Sequence, residues 1–358
     1  MSKTPYNFFQ RGFHRLVLGN KYLAEFLLDL EFGLFKRYVQ CAINQQHVFV
    51  SGLARSGTTH LLRTLYNSGE FVSLTYRSMP MVLAPNLWNR ITALSNKRIS
   101  QSVERAHGDG ILVDYDSPEA FEEVFWKISD GYSYLKKDRL IPHVPSSEII
   151  EKFQDYVALV LASNPNPSFR YLSKNNNNIL RIRSIEKAFS RAIIIVPFRD
   201  PLQQAFSLLT QHRKFLSMHN KDKFISEYMS FIVHHEFGPA HRPFNFYARS
   251  TDHDTLSLDY WLSLWFEVYS WLMSEAPNRS LFLSYERYCR DHRNVIGQIV
   301  KISNINNFDN ISRTLKERVH HIPELYSPDL YESCCTLYKK LIEKENMWTI
   351  PKPCDDHS

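Results

Sequence analysis

The sequence predicts an α/β fold, a parallel sheet flanked by helices with extra helices at both ends. Three observations predict it. Short, uninterrupted apolar runs recur at wide intervals, as strands covered on both faces require. The first of these runs breaks at a glycine-containing loop that opens directly into a helical pattern. Between the runs lie stretches of helical periodicity, with no internal repeat.

The opening of the chain is helical in pattern. Tyr6 to Leu18 has amphipathic spacing and is read as a helix packed on the domain in preference to one touching a membrane. The run His47-Val48-Phe49-Val50 is apolar and β-branched and stops at Ser51-Gly52, as a buried strand does. Leu61, Leu62 and Leu65 then recur at helical spacing from Thr58 onward, so strand, glycine loop and helix follow in order. Leu74 to Trp88, with Pro80 and Pro85, reads as loop with short turns. Ser117-Pro118-Glu119 reads as the start of a helix running through Trp126, with acidic residues in its first turn. This middle part is expected to form lids and pockets.

A second strand is expected at Phe169 to Leu172, followed by Lys174 and the run Asn175 to Asn178. A third is expected at Ala192 to Phe198, with a helix starting just after Pro201. Leu256 to Met273 is long, aromatic and helical, with Trp261, Trp265 and Trp271 read as core, and Ser280 to Ser284 reads as another strand. No linker interrupts the pattern. One domain is therefore expected over residues 1–358, with a core at about 46–290 and helical flanks at 1–45 and 291–358.

Composition narrows the class. A hydrophobic share of 44% over 358 residues supports a real core, and 14% aromatic with only 11 Gly and 17 Pro excludes a linker-rich or disordered chain. Lys and Arg outnumber Asp and Glu by 43 to 37, a net charge of +6 that suits anionic ligands. No basic stripe concentrates that excess, so no nucleic-acid partner is expected. Cys41, Cys289, Cys334, Cys335 and Cys354 have no C-x-x-C spacing and read as free thiols in a reducing compartment, which points to the cytoplasm. Arg11, His14 and Arg15 interrupt the apolar positions of Met1 to Asn20, unlike a signal peptide, and no run approaches the length of a transmembrane segment.

The loop Gly52-Leu53-Ala54-Arg55-Ser56-Gly57-Thr58-Thr59 leaves a strand and enters a helix. Such a loop aims free backbone N–H groups and the positive end of the helix dipole at one spot, which makes a phosphate cradle. Gly52 and Gly57 allow tight turning and close approach, Ser56, Thr58 and Thr59 add hydroxyls, and Arg55 adds a forked cation. The lysine of a nucleoside triphosphatase loop is absent, since Thr58 stands in its place. The loop is thus poorly equipped for a β/γ-phosphate pair with a metal and well suited to one 5′-phosphate carrying a sulfuryl group.

A second element follows another expected strand, at Phe198-Arg199-Asp200-Pro201. Ser207 lies eight positions after Arg199, about two turns into the helix and on nearly the same face, so both are placed to grip one further phosphate. Alone, Arg199 and Asp200 also read as a helix cap paired with its neighbours. The two stretches together are much more specific than either.

With these motifs the chain resembles the sulfotransferase superfamily, which uses 3′-phosphoadenosine 5′-phosphosulfate. Arg55-Ser56-Gly57-Thr58-Thr59 is similar to its 5′-phosphosulfate loop, Arg199 with Ser207 to its 3′-phosphate site, and Leu283-Ser284-Tyr285-Glu286 to the Tyr-Glu that closes its last core strand. Arg in place of the loop lysine of the cytosolic enzymes is similar to the tyrosylprotein and bacterial branches. The resemblance spans about residues 46–290 and implies a P-loop-type parallel sheet and sulfuryl transfer to a hydroxyl or amine, with no metal.

Such a transfer needs cations at the leaving oxygen and a base for the acceptor's proton. Arg55 is one cation by position. Lys174 resembles the lysine that the tyrosylprotein branch places near the leaving group, against the alternative of a solvated loop lysine. That branch carries a glutamate shortly after the loop helix, whereas Leu74-Thr75-Tyr76-Arg77-Ser78 has no carboxylate. The base is expected instead from Glu104-Arg105-Ala106-His107-Gly108-Asp109-Gly110, with His107 ranked first, Glu104 second, and Asp109 as an orienting or substitute group.

His234-His235-Glu236 with His241 lacks the spacing that puts two imidazoles on one helical face, and reads as a structural or substrate-loop segment, not a zinc site. Two other readings stay open. A P-loop kinase or nucleotide phosphotransferase predicts magnesium dependence, and a non-catalytic nucleotide-binding regulatory protein fits the missing early glutamate. The acceptor class, whether carbohydrate, peptide tyrosine, lipid or small alcohol, is not legible, because acceptor pockets are built from variable loops around a fixed site.

Overall fold

Residues alternate across each strand of the central sheet. Val48 and Val50 face one layer while Phe49 faces the other, and both layers are dry. The structure, a computed structural model, describes residues 8–36, 43–93, 103–104, 112–113, 116–164, 166–219, 223–247, 254–306, 315–323 and 325–348. Within them the chain runs α1 (Phe8–Gly19), α2 (Lys21–Phe35), β1 (Val48–Val50), α3 (Thr58–Tyr66), β2 (Phe71–Val72) and α4 (Pro85–Ala93). A small hairpin follows, β3 (Val103–Glu104) antiparallel to β4 (Leu112–Val113). Then come α5 (Glu123–Tyr134), α6 (Ser147–Ala162), β5 (Arg170–Lys174), α7 (Ile182–Ala188), β6 (Ile193–Phe198), α8 (Pro201–His219) and α9 (Lys223–Phe231). The chain finishes with α10 (Leu258–Glu275), β7 (Leu281–Ser284), α11 (Tyr285–Arg290), α12 (His292–Ile302) and α13 (Pro328–Glu345).

The five main strands pair in parallel in the order β2-β5-β1-β6-β7. This is the predicted α/β class, with helical additions at both ends. Leu61, Leu62 and Leu65 of α3 and Val295, Ile296 and Ile299 of α12 cover one face beside Val48, Val50, Ile193 and Ile195. On the other face Phe153 of α6 and Phe189, just after α7, meet Phe49 of β1 and Tyr171 of β5 in a cluster of rings about 6 Å apart, and α8 and α10 add apolar side chains to the same core. Because β1 lies in the middle of a parallel sheet, the loop that leaves it opens at the carboxyl edge, flanked by the ends of β5 and β6. Val50 pairs with Lys174 on one side and Ile195 on the other, and Phe198 pairs with Ser284. In open parallel sheets that edge, at the crossover point, is where ligands bind.

Two expectations are corrected. Ser117-Pro118-Glu119 does not open a helix. Pro118 makes an antiparallel bridge with Thr75, the Glu119 N–H donates to the Leu74 carbonyl and the Tyr76 N–H to that of Ser117, so the segment is held extended and α5 starts later, at Glu123. Leu74 to Trp88 is loop only as far as Ala84. Tyr76–Ser78 forms a 3-10 turn, and Pro85 begins α4, where its missing N–H costs nothing.

Displacing the helix start puts Glu122 and Glu123 into the interior, where they organise the asparagine run. Arg181 grips Glu123 in a two-pronged pair at 2.8 and 3.0 Å, Asn175 donates to Glu123 at 2.7 Å, and Asn178 and Tyr171 donate to Glu122 at 2.8 and 3.0 Å. Arg181 also donates through Nε to His143 Nδ1 at 2.7 Å, which forces the proton of that ring onto Nε2, facing Asp130 at 2.9 Å. Burial, and then the Arg181 charge, push His143 down to about 4.

His143 is therefore neutral when folded, while an unfolded histidine takes up a proton near pH 6.5. Stability should fall as pH drops from about 6.5 toward 4 and should not change for this reason above that range. Thermal melts at pH 7 and pH 5 check it: the melting temperature drops at pH 5, and His143→Gln shrinks the drop. An identical pH slope in that variant contradicts the assignment.

Candidate functional site

The loop after β1 is shaped by steric demands that its residues meet. The Ser51 N–H extends the sheet by donating to the Ile195 carbonyl at 2.9 Å. A Cβ on Gly52 would stand 2.6 Å from the Pro197 carbonyl oxygen, so only glycine passes beneath β6. Arg55 adopts φ of 71° and Gly57 φ of 88°, and the latter caps α3 with no side-chain hydrogen bond. Without that cap, the first N–H groups of α3 face the concave side of the loop, where an anion is favoured. The Ser56 hydroxyl donates inward to the Leu53 carbonyl at 2.7 Å and so closes the loop on itself. Thr58 and Thr59 begin the helix and are buried.

The second expected element arrives from β6 and closes on the first. Arg55 Nε donates to Ser207 Oγ at 3.1 Å across 152 residues of sequence. Arg199 is buried just beyond β6. Its guanidinium lies 4.5 Å above the Tyr285 ring and donates to the Arg318 carbonyl, while its Nε is buried and has no hydrogen-bond partner among the described residues. An unmet charged donor in the interior is costly. Asp200 is held apart from this role: its N–H donates to Glu286 at 3.0 Å, and its carboxylate accepts from the Gln203 N–H at 2.9 Å as a helix cap.

The segment 315–323 covers this pair, and sequence reasoning missed it. Tyr285 donates to the Lys316 carbonyl at 3.3 Å and accepts from the Arg318 N–H at 3.1 Å. Gln203 clamps the His320 backbone from both sides, at 3.1 and 2.7 Å. Burial holds His320 below its ordinary value, and the charges of Arg199, Arg55 and Arg318 add to the shift, so three arginines converge on one imidazole. The visible signal was Lys316, Arg318, His320 and His321 within six residues, but no strand or glycine loop precedes them.

Lys174 ends β5 beside Val50 and is buried, as its placement near the loop requires. Its Nζ lies 3.9 Å from Glu119, whose other oxygen accepts from the Tyr76 hydroxyl at 3.4 Å. A carboxylate thus stands next to Tyr76, within the stretch that has none of its own. Glu104 lies at the end of β3, and its side chain, with His107 and Asp109, falls outside the described residues.

The histidine segment is an internal network. His241 Nε2 meets the Tyr260 hydroxyl at 2.5 Å, its Nδ1 the His235 carbonyl at 3.1 Å, and His235 Nδ1 the Ala240 carbonyl at 3.1 Å. Burial pushes His235 down to about 3 and His241 to about 4. Among the described residues no group of His, Cys, Asp and Glu is arranged to hold a metal.

The model of the sulfotransferase family matches residues 47–309. The chain belongs to that family. The fold of this sulfotransferase is similar to that of the sulfotransferase STF9 from Mycobacterium avium, at 13% identity and a TM-score of 0.50 over 98% of this chain and 89% of that one. The sulfotransferase STF1 from Mycobacterium tuberculosis H37Rv gives 12% identity and a TM-score of 0.47 over 96% and 88%. No curated protein sequence matches the sulfotransferase significantly.

Gly52→Ala in this sulfotransferase should destabilise the fold by about 1–3 kcal/mol, because the new methyl group meets the Pro197 backbone. Urea denaturation measures it, and an unshifted midpoint contradicts the close approach.

Proposed function

We propose that this sulfotransferase moves a sulfuryl group from 3′-phosphoadenosine 5′-phosphosulfate to a hydroxyl or amine acceptor by in-line displacement without a metal, in the cytoplasm. The observation that carries the reading is Arg199, buried beside the loop with its Nε unmatched. A 3′-phosphate supplies the acceptor oxygen that donor lacks. Ser207, held by Arg55, adds a hydroxyl at the loop. The loop N–H groups of Gly57, Thr58 and Thr59 hold the 5′-phosphosulfate end, and Thr58 in place of the triphosphatase lysine speaks against a triphosphate.

When bound, the nucleotide supplies an activated sulfuryl group with a phosphate leaving group. The protein's own share is electrostatic. Arg55 and Lys174 bring positive charge to the bridging oxygen as it leaves, in a pocket where burial strengthens each contact. The acceptor's proton goes to a base from the segment 104–109, His107 first, with Glu104 and Asp109 as alternatives. Glu119 joins these candidates because Lys174 and Tyr76 hold its carboxylate beside the loop.

Calorimetry with 3′-phosphoadenosine 5′-phosphate against ADP with magnesium tests the donor. The former should bind more tightly, and the reverse order points to a kinase-like site. Arg199→Ala should weaken ligands bearing the 3′-phosphate by about 2 kcal/mol and leave ligands without it unchanged. Equal loss for both contradicts the assignment. For the base, His107→Ala and Glu119→Gln are compared at fixed nucleotide affinity: the variant whose turnover collapses while the nucleotide still binds identifies the proton acceptor, and two unaffected variants move the role to Glu104 or Asp109.

A further inference from the structure

Helix α1 is apolar on two opposite faces. One face, His14, Val17 and Leu18, is buried against the protein, with His14 against the rings of Phe224 and Tyr228. The opposite face carries Phe8, Phe9, Phe13 and Leu16, which at about 100° per residue fill an arc of roughly 140°. Phe13, at 38%, leans on the Trp88 ring, but the others are open: Phe8 is 82% exposed, Phe9 84% and Leu16 56%. Exposure continues at the start of α2, with Tyr22 at 82% and Phe26 at 59%. Single exposed apolar residues are ordinary, but an aromatic stripe aligned along one helix is a contact surface.

Charge selects what that surface meets. Residues 1–24 contain Lys3, Arg11, Arg15 and Lys21 and no Asp or Glu. On the helical wheel Arg11 and Arg15, one turn apart, border the stripe on one side, the position from which long cationic side chains reach a headgroup layer while the rings sit deeper. Both guanidinium groups lie over the Phe224 ring, at 5.0 and 5.4 Å, and Arg15 pairs with Glu227 at 2.7 Å. That ion pair is about half exposed, and such surface pairs are weak and exchange readily for other anions. A second copy of the chain on this face would bring cationic segment against cationic segment. An anionic bilayer meets both the stripe and its cationic border.

We propose that α1 docks the protein onto the surface of membranes rich in anionic lipid, through Phe8, Phe9 and Leu16 with Arg11 and Arg15 at the headgroups. The binding is peripheral, since no helix among the described residues is long and apolar enough to cross a bilayer. It is independent of the donor site.

The test is co-sedimentation of the full chain with vesicles of phosphatidylcholine alone and of phosphatidylcholine mixed with phosphatidylserine, at low and high salt. The expected result is binding to the mixed vesicles that weakens with salt, with little binding to phosphatidylcholine. The triple variant Phe8→Ser, Phe9→Ser, Leu16→Ser should lose about tenfold in partitioning. Arg11→Gln with Arg15→Gln should lose the preference for phosphatidylserine. Thermal melting, and nucleotide binding by calorimetry, confirm that each variant is folded. Absence of binding to mixed vesicles, or equal binding by the folded triple variant, overturns the proposal. So does sedimentation velocity showing a dimer that the triple variant dissolves while vesicles bind neither form, which gives the face to a second copy.

Discussion

A buried amide, that of Gln204, braces the loop after β1, and the rest of the site is built around it. The carbonyls of Leu53 and Ala54 belong to no strand or helix, so they need donors inside the protein. Gln204 supplies both from the first turns of α8, at 3.3 and 2.9 Å, and its own oxygen accepts from Trp265 at 3.0 Å and Tyr269 at 3.3 Å. Trp265 also reaches the Arg199 carbonyl at 3.2 Å, and Tyr269 that of Pro197 at 3.0 Å. The loop after β1, the turn after β6 and the aromatic helix α10 are thereby one unit. Trp265, which reads as plain core in the sequence, serves with Tyr269 as a hydrogen-bond donor to the site.

That unit gathers three arginines. Arg199 rests on a ring and a backbone carbonyl, Arg55 on a serine hydroxyl, and Arg318 approaches from the covering segment. Nearby carboxylates have partners of their own: Asp200 caps α8, Glu286 accepts from the Asp200 N–H and from Tyr338 at 3.0 Å, and Glu317 pairs with Arg290 at 3.8 Å. Burial raises Glu286 above its ordinary value, against the hydrogen bonds from Asp200 and Tyr338 that lower it.

Elsewhere the chain keeps its buried carboxylates paired. Glu123 with Arg181 is dry and bidentate, and Glu122 is met by three donors. A paired buried charge of this kind ties the start of α5 to the asparagine run after β5. It thus holds Lys174, which directly precedes that run, at a fixed height beside the loop.

The sheet, the glycine loop and the Arg199-to-Ser207 spacing were legible in the sequence because each is local: strand runs, a turn that only glycine permits, and two turns of one helix. Composition and short-range period alone determined the α/β class and the position of the glycine loop. Local signals failed where backbone pairing competed with them, as at Pro118, whose helix-start pattern lost to a bridge with Thr75. The two apolar stripes of α1 look alike in sequence, and only packing decided which is covered. Tertiary structure alone brought Ser207 to Arg55, Arg318 and His320 to Arg199, and Glu119 to Lys174. Those meetings depend on the order in which crossovers lay strands side by side, and strand order in a parallel sheet leaves no periodic trace in the chain.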